Sequence, residues 1–404
     1  MKTIILANAP VNNGNRGCVA LSITTMMIID KIFCEAGEEY RLYLTDSGIA
    51  EKKDYYYEAK GLKKIFFTPC SHYPFRAKTL AYNILKTKRF GTKPFKEADF
   101  ILDIGQGDSF ADIYGKQRFE RIDDIHRAAI QLNKPYCILP QTIGPFKDDK
   151  IRKQAVKSIE KANLVMTRDR QSLDYVHEIA PKQNNVREYI DVAFFMPYKK
   201  IEFSKEFVHV GLNISALLWH GGYTQDNQFG LEGDYQRIIR SIIDYFLSIP
   251  NVTLHLIAHV VVAERHVEND YAVNYDLWME YDRNPRLILA PFALSPTDVK
   301  GYIAGMDFFM GARMHATIGA FSSGVPVMPM AYSRKFNGLF ADTLQYPYLA
   351  DLKTNTESEV IDTIQDAFAK RNDLKSIIDD RMNGVVRKRG EMMTEDLKKF
   401  FGLL

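Results

Sequence analysis

The chain has little of what would set it apart from the ordinary globular classes. Of its 404 residues only four are cysteine, and Cys18, Cys34, Cys70 and Cys137 form no CxxC pair. Zinc-ribbon and thioredoxin-like sites are therefore excluded, and the four read as reduced thiols. Net charge is equally sparse, since 53 Lys+Arg against 50 Asp+Glu leave +3. So small a surplus predicts no nucleic-acid partner, and any polyanion contact has to be local. No apolar run reaches the roughly 18 residues that span a bilayer, and the apolar stretch at 3–7 is too brief for a signal-peptide core. A cytoplasmic protein is expected. What is present is 46% hydrophobic and 25% charged residues, a globular balance at a length that suits two to three domains.

Short apolar runs at 3–7, 40–44, 100–104, 136–140, 164–166, 208–212, 254–258, 287–289, 308–310 and 325–330 alternate with helical patterns. That rhythm predicts an α/β protein with parallel sheets. Helices are expected at 151–162 and 235–247, where apolar residues recur at three and four. The pattern weakens between Asp191 and Val208, which divides the chain into residues 1–197, residues 198–375 and a helical tail at 376–404. Two such domains, with their strand ends facing one central cleft, would bind ligand there.

The loops after these runs carry the candidate chemistry. The first, with Asn13-Gly14-Asn15-Arg16-Gly17, combines close backbone approach, a helix start and one cation. It can seat a phosphate or a sugar, or be a turn that simply needs glycine; its spacing fits neither GxGxxG nor a Walker loop. The second, Gly105 to Gly115, offers Gly107, Asp108, Ser109 and Asp112 as ligand contacts, against Asp108 as a helix cap and Asp112 as partner to a nearby base. GxSxG is absent, so triad hydrolysis loses weight. Gln141 opens a tight Gly-Pro loop suited to a cleft wall, and Arg168 beside Asp169 points either to an anion or to a salt bridge.

Gly311-Ala312-Arg313-Met314-His315-Ala316 is the densest cluster. Arg313 offers a fork for carboxylate or phosphate, and His315 is the side chain best suited to move a proton near neutral pH. Among the other histidines, His255 reads as core, while His259, with Glu264 beyond the strand end, points to the cleft. Without carboxylates at ligand spacing no metal is assigned. His220, followed by Gly221-Gly222, is a substrate-contact candidate. From Arg76 to Lys96 seven Lys or Arg and no acid are interleaved with aromatic and aliphatic residues. That segment suits an anionic membrane or a lipid pyrophosphate, or a solvated helix and loop.

Taken in order, Asn13 to Gly17, Asp103 with Gly105–Asp112, Gln141 to Pro145, Arg168-Asp169 with Ser172, Asp191 to Phe194, and Gly311 to Ala316 resemble the polysaccharide pyruvyl transferase family. The Arg-x-His stretch, trailed by Gly324-Val325-Pro326 and Tyr332-Ser333-Arg334-Lys335, is the most specific part. Gln106 stands where that family usually has a glycine-rich run. The resemblance implies two Rossmann-like domains in a glycosyltransferase-B-like arrangement, the N-terminal one on the acceptor side. It also implies transfer of a carboxyethylidene group from phosphoenolpyruvate to two hydroxyls of one sugar, giving a cyclic ketal and phosphate.

On that reading Arg313 and Arg168 grip the donor, His315 is the acid–base group, and Asp108 or Asp112 orients it or acts as a second base. Asn15, Arg16, Gly107, Asp112, Gln141, His220, Met314 and Lys335 line the substrates. No cofactor beyond the donor substrate is required. The acceptor would be a surface polysaccharide or its lipid-linked precursor, met at the cytosolic membrane face through residues 76–96. Two other readings stand beside it: a nucleotide-sugar glycosyltransferase of the same fold, and a non-catalytic saccharide-binding subunit.

Overall fold

The computed structural model describes residues 1–46, 52–58, 61–71, 73, 93–262, 266–292 and 294–404. Internal contacts divide the chain into two units. The first comprises Met1–Asn12, Leu21–Val192 and Arg387–Leu404, and the second Asn13–Ala20 and Ala193–Val386. The boundary at Val192 falls inside the stretch where the sequence pattern weakens. The expected tail at 376–404 does not stand apart. Its first part stays with the second unit, and 387–404 returns to the first, where Arg389 pairs with Glu188 at 2.6 Å.

In the first unit the apolar runs form β1 (Lys2–Ala7), β2 (Tyr40–Leu44), β5 (Phe100–Asp103), β6 (Tyr136–Gln141) and β7 (Leu164–Thr167). Strands β3 (Lys52–Glu58), β4 (Gly61–Pro69) and β8 (Val186–Glu188) complete a sheet of order β3-β4-β2-β1-β5-β6-β7-β8. The sheet is parallel, as expected, except at one edge, where β3 runs antiparallel to β4. Only two residues separate that pair in sequence, too few for a parallel crossover. The second sheet is parallel throughout, with β9 (Val208–Asn213), β10 (Val252–Leu256), β11 (Leu287–Leu289), β12 (Phe308–Gly311), β13 (Val327–Ala331) and β14 (Ala350–Asp351) in the order β11-β10-β9-β12-β13-β14.

Helices begin where capping chemistry places them. Asp148 accepts from Lys150 N and Ile151 N ahead of the helix Asp149–Lys161, and Asp234 does the same for Tyr235–Ser248. The latter buries Ile238, Ile239, Ile242, Ile243 and Phe246, the stripe the sequence announces. The helix Arg16–Ala36 is long and apolar enough to cross a membrane, yet 72% of its apolar window is buried within the protein. Of the basic segment 76–96, residues 76–92 lie outside the described residues. Its end forms the helix Lys93–Glu97, with Phe95 buried.

One buried charge cluster underlies the first sheet. His126 on the helix Lys116–Gln131 is fully buried between Asp103, at 2.9 Å, and Asp123, at 3.2 Å. Burial disfavours the imidazolium, but hydrogen bonds and charge from both carboxylates outweigh it and raise His126 from 6.5 to about 9. The folded value lies above the unfolded one, so the stabilisation is complete below about pH 6.5 and is lost as pH rises through about 9. That difference corresponds to about 3 kcal/mol. Urea unfolding of the wild type should therefore weaken between about pH 6 and pH 9.5 by more than that of His126→Gln, and equal losses would contradict the assignment.

Candidate active site

The second unit builds its site where β9, β10 and β12 end. Gly311 pairs with Asn213 across β12 and β9, and a Cβ at 311 would come within 2.9 Å of the Asn213 Cβ. The two strands can therefore approach this closely only with glycine there. Asn213 then ties the next turn, since its Oδ1 accepts from Arg313 N at 2.9 Å and its Nδ2 donates to Ile257 O at 2.9 Å. Arg313 leaves the strand at this point and the helix Met314–Ser322 begins, with small residues along its buried length.

Arg313 is held by a carboxylate. Asn269 caps the helix Asp270–Glu280, and the Asp270 side chain at its start is wholly buried. Asp270 accepts from Ala216 N at 2.9 Å, Val260 N at 2.8 Å and His259 N at 3.2 Å, and so joins the ends of β9 and β10. Arg313 closes the knot, donating to Asp270 Oδ1 from Nη2 at 2.8 Å and from Nε at 3.2 Å. Nη2 also reaches Glu268 O at 3.1 Å. Burial works against the guanidinium charge, but Asp270 overcomes it and holds Arg313 above its ordinary range. In this structure Nε and Nη2 are engaged by Asp270. The fork faces Asp270, and Nη1 is the nitrogen left without a hydrogen bond among the described residues.

A strap from the start of the chain completes this unit. Asn15 bridges Val260, Gly14 O accepts from Val261 N at 2.9 Å, and Arg16 N donates to His259 O at 3.2 Å. A Cβ on Gly14 would press to within 2.6 Å of Val262 Cγ1, so the strap needs glycine there. The Arg16 side chain donates from Nε to Leu294 O at 2.5 Å and from Nη2 to Phe292 O at 3.1 Å. Like Arg313, it keeps Nη1 without a hydrogen bond among the described residues. Burial lowers Arg16 from its usual value and Asp270 counteracts this. Gly17, next along, lies against His315, whose Cγ would be 2.8 Å from a Cβ there.

Arg16, Arg313 and His315 all act on His259, which burial first and then these three hold well below its usual value. The carboxylate of Asp270 is thus set against two arginines, Arg16 and Arg313, which together with His315 act on His259. Such a surplus of donors and positive charge suits an anion.

The other expected site residues are distributed unevenly. Asn15 uses its side chain locally, accepting from Gly17 N at 3.0 Å, and Met314 is buried. Lys335 stacks on Tyr332 at 5.3 Å, and Tyr332 contributes to the charge environment of Arg313. His220 is exposed at the end of the helix Ala216–Trp219, where partial burial lowers it against the pull of Asp276. Gly107, Asp108, Asp112, Gln141 and Arg168 belong to the first unit.

Arg168, expected to contact the donor, is instead 1% exposed and bound to Asp191 at 2.7 Å and Thr142 Oγ1 at 3.0 Å. Its charge serves a buried ion pair. Asp112 Oδ2 accepts from Lys147 N at 2.5 Å and Asp148 N at 2.9 Å, so it fixes a loop, and Asp108 accepts from Tyr114 OH at 2.9 Å. Gln141 donates to Asp103 O at 3.1 Å from beneath Gly105.

Residues 43–334 match the family described as polysaccharide pyruvyl transferase. The chain belongs to that family. AmsJ, an amylovoran biosynthesis protein of Erwinia amylovora, is 19% identical over 322 residues, or 77% of this chain and 75% of that protein. Among solved structures, sucrose-phosphate synthase from Thermosynechococcus elongatus superposes with a TM-score of 0.59 at 10% identity, covering both chains fully. HepE of Anabaena, in complex with UDP-glucose, gives 0.58 at 12% identity over 99% of this chain and all of its own. These likenesses show the fold, two Rossmann-like domains of the glycosyltransferase-B type. This member of the family therefore shares its fold with a protein solved with bound UDP-glucose.

Sequence reasoning missed Asp270, Glu268 and Asn213, and left His259 without a role. Asn269-Asp270 reads locally as an ordinary helix start. Its function emerges only when three strand ends converge on it. Glu264, the expected neighbour of His259, lies outside the described residues. His255 is in the core as expected, 3.0 Å from His209 and 2.8 Å from the Tyr302 hydroxyl, and burial lowers it to about 3.

Proposed function

We propose that this transferase moves a pyruvyl (carboxyethylidene) group from phosphoenolpyruvate to two hydroxyls of a saccharide, with the donor seated in the second unit. The observation that carries the reading is the pair Arg16 and Arg313, each anchored through Nε and Nη2 and each left with Nη1 unbonded among the described residues. A donor with one carboxylate and one phosphate asks for two fixed cations, and anchored ones lose little freedom on binding. Phosphoenolpyruvate gains a proton at its vinyl carbon, C2 forms bonds to two sugar oxygens, and its bond to the phosphate oxygen breaks. Of the two hydroxyl protons released, one balances the new methyl group and the other leaves with phosphate. His315 is assigned delivery to the vinyl carbon, and Asp108 is retained as the acceptor-side base candidate.

The UDP-glucose held by HepE favours one rival, a transferase that uses a nucleotide sugar. A thermal-shift titration separates the two. Phosphoenolpyruvate should raise the midpoint while uridine and guanosine diphosphates leave it in place, because a ligand of the folded state stabilises by mass action. A response to a nucleotide alone would overturn the donor assignment. Gly17→Ala supplies a second check, since the added methyl group must displace the His315 ring. Turnover should fall by roughly 10²-fold with donor affinity little changed. Wild-type turnover would remove His315 from the chemistry.

A further inference from the structure

We propose that His259 is a third member of the anion site, an imidazole that takes up a proton from solvent when a dianion binds at Arg16 and Arg313. The inference deepens the donor-site reading and rests on it for the identity of the natural anion. His259 lies just beyond β10, its N donating to Asp270 Oδ2 at 3.2 Å and its O accepting from Arg16 N at 3.2 Å. Its main chain is thereby tied to the groups that hold both arginines. The side chain is 5% exposed and makes no hydrogen bond among the described residues. A neutral imidazole carries one donor and one acceptor, both of which a ligand can answer.

The charges around it explain when it would change state. Arg16 on the strap, and Arg313 and His315 at the end of β12 and the start of the following helix, all disfavour charge on its ring. Asp270, from the helix Asp270–Glu280, binds its main chain and partly neutralises Arg313. With the site open, burial and the three basic groups keep the ring neutral. A dianion reverses the sign of the local field and adds an acceptor for the ring N–H, both of which favour the imidazolium. Binding and protonation are then linked, and by reciprocity the anion binds more weakly as pH rises.

Calorimetric titration with sulfate tests this, since sulfate does not itself titrate near neutral pH. Run at about pH 7 in buffers of different ionisation enthalpy, the wild type should show uptake of roughly half to one proton per sulfate. His259→Asn should bind sulfate with uptake near zero, while His315→Gln should keep the wild-type uptake. The His315→Gln arm carries the test should His259→Asn fail to fold. No uptake in the wild type, uptake retained in His259→Asn, uptake lost in His315→Gln, or no sulfate binding would each overturn the proposal. A parallel titration with phosphoenolpyruvate separates the two readings. If sulfate binds with uptake and phosphoenolpyruvate does not bind, the inference stands and the donor assignment falls.

Discussion

Replacing Asp270 by alanine is expected to cost the fold about 3–5 kcal/mol and to reduce donor binding below detection. The carboxylate is wholly buried and faces an arginine that is only 8% exposed. Its removal leaves a guanidinium in the interior without its counter-charge, and strands Ala216 N, His259 N and Val260 N without their acceptor. Unpaired buried charge and unmet donors are among the few causes of losses this large. Arg313 would then turn toward water or another acceptor, and the ends of β9 and β10 would lose their common tie. Urea unfolding and a phosphoenolpyruvate titration check both parts. Near-wild-type stability in Asp270→Ala would show that Asp270 does not bind this corner together.

Changing His315 to glutamine should have the largest effect on chemistry. The substitution keeps a polar side chain of similar reach but removes the group that can gain and lose a proton near neutral pH. Turnover should fall by roughly 10²–10⁴-fold while phosphoenolpyruvate affinity stays within a few-fold of wild type. That split distinguishes a proton-transfer role from a binding one, because a pure binding residue would weaken affinity and turnover together. Wild-type turnover in His315→Gln would place the proton transfer elsewhere.

Most of the fold was legible because its signals are local. Continuous apolar runs between helical patterns located the principal strands, and apolar residues recurring at three and four located the helices Asp149–Lys161 and Tyr235–Ser248. Strand β3, Lys-Lys-Asp-Tyr-Tyr-Tyr-Glu, escaped because its charged residues hide the β preference of its tyrosines. The two-residue strand β14 is too short to leave a pattern.

The site was legible in part, for the same physical reason. The Arg-x-His motif and the glycines beside Arg16 announce close approach and charge within a few residues. Which way a side chain turns is decided by partners far along the chain. Arg313 spends its fork on Asp270, 43 residues away, and Arg168 is consumed by Asp191. Nor does sequence alone show that Arg16, near the start of the chain, joins residues 193–386 in one unit. Hydrophobic periodicity carries no information about such pairings, which follow from where strand ends meet.

The most direct test of this account is the affinity of phosphoenolpyruvate for wild type and for Arg16→Gln, measured by calorimetry. Arg16 is half-buried and tied to carbonyls rather than to a carboxylate, so its replacement strands no buried counter-charge. Loss of one of two cations on a doubly ionic donor should weaken binding by roughly tenfold or more, on the order of 1.5–3 kcal/mol. Unchanged affinity in a folded Arg16→Gln protein would contradict the placement of the donor between Arg16 and Arg313.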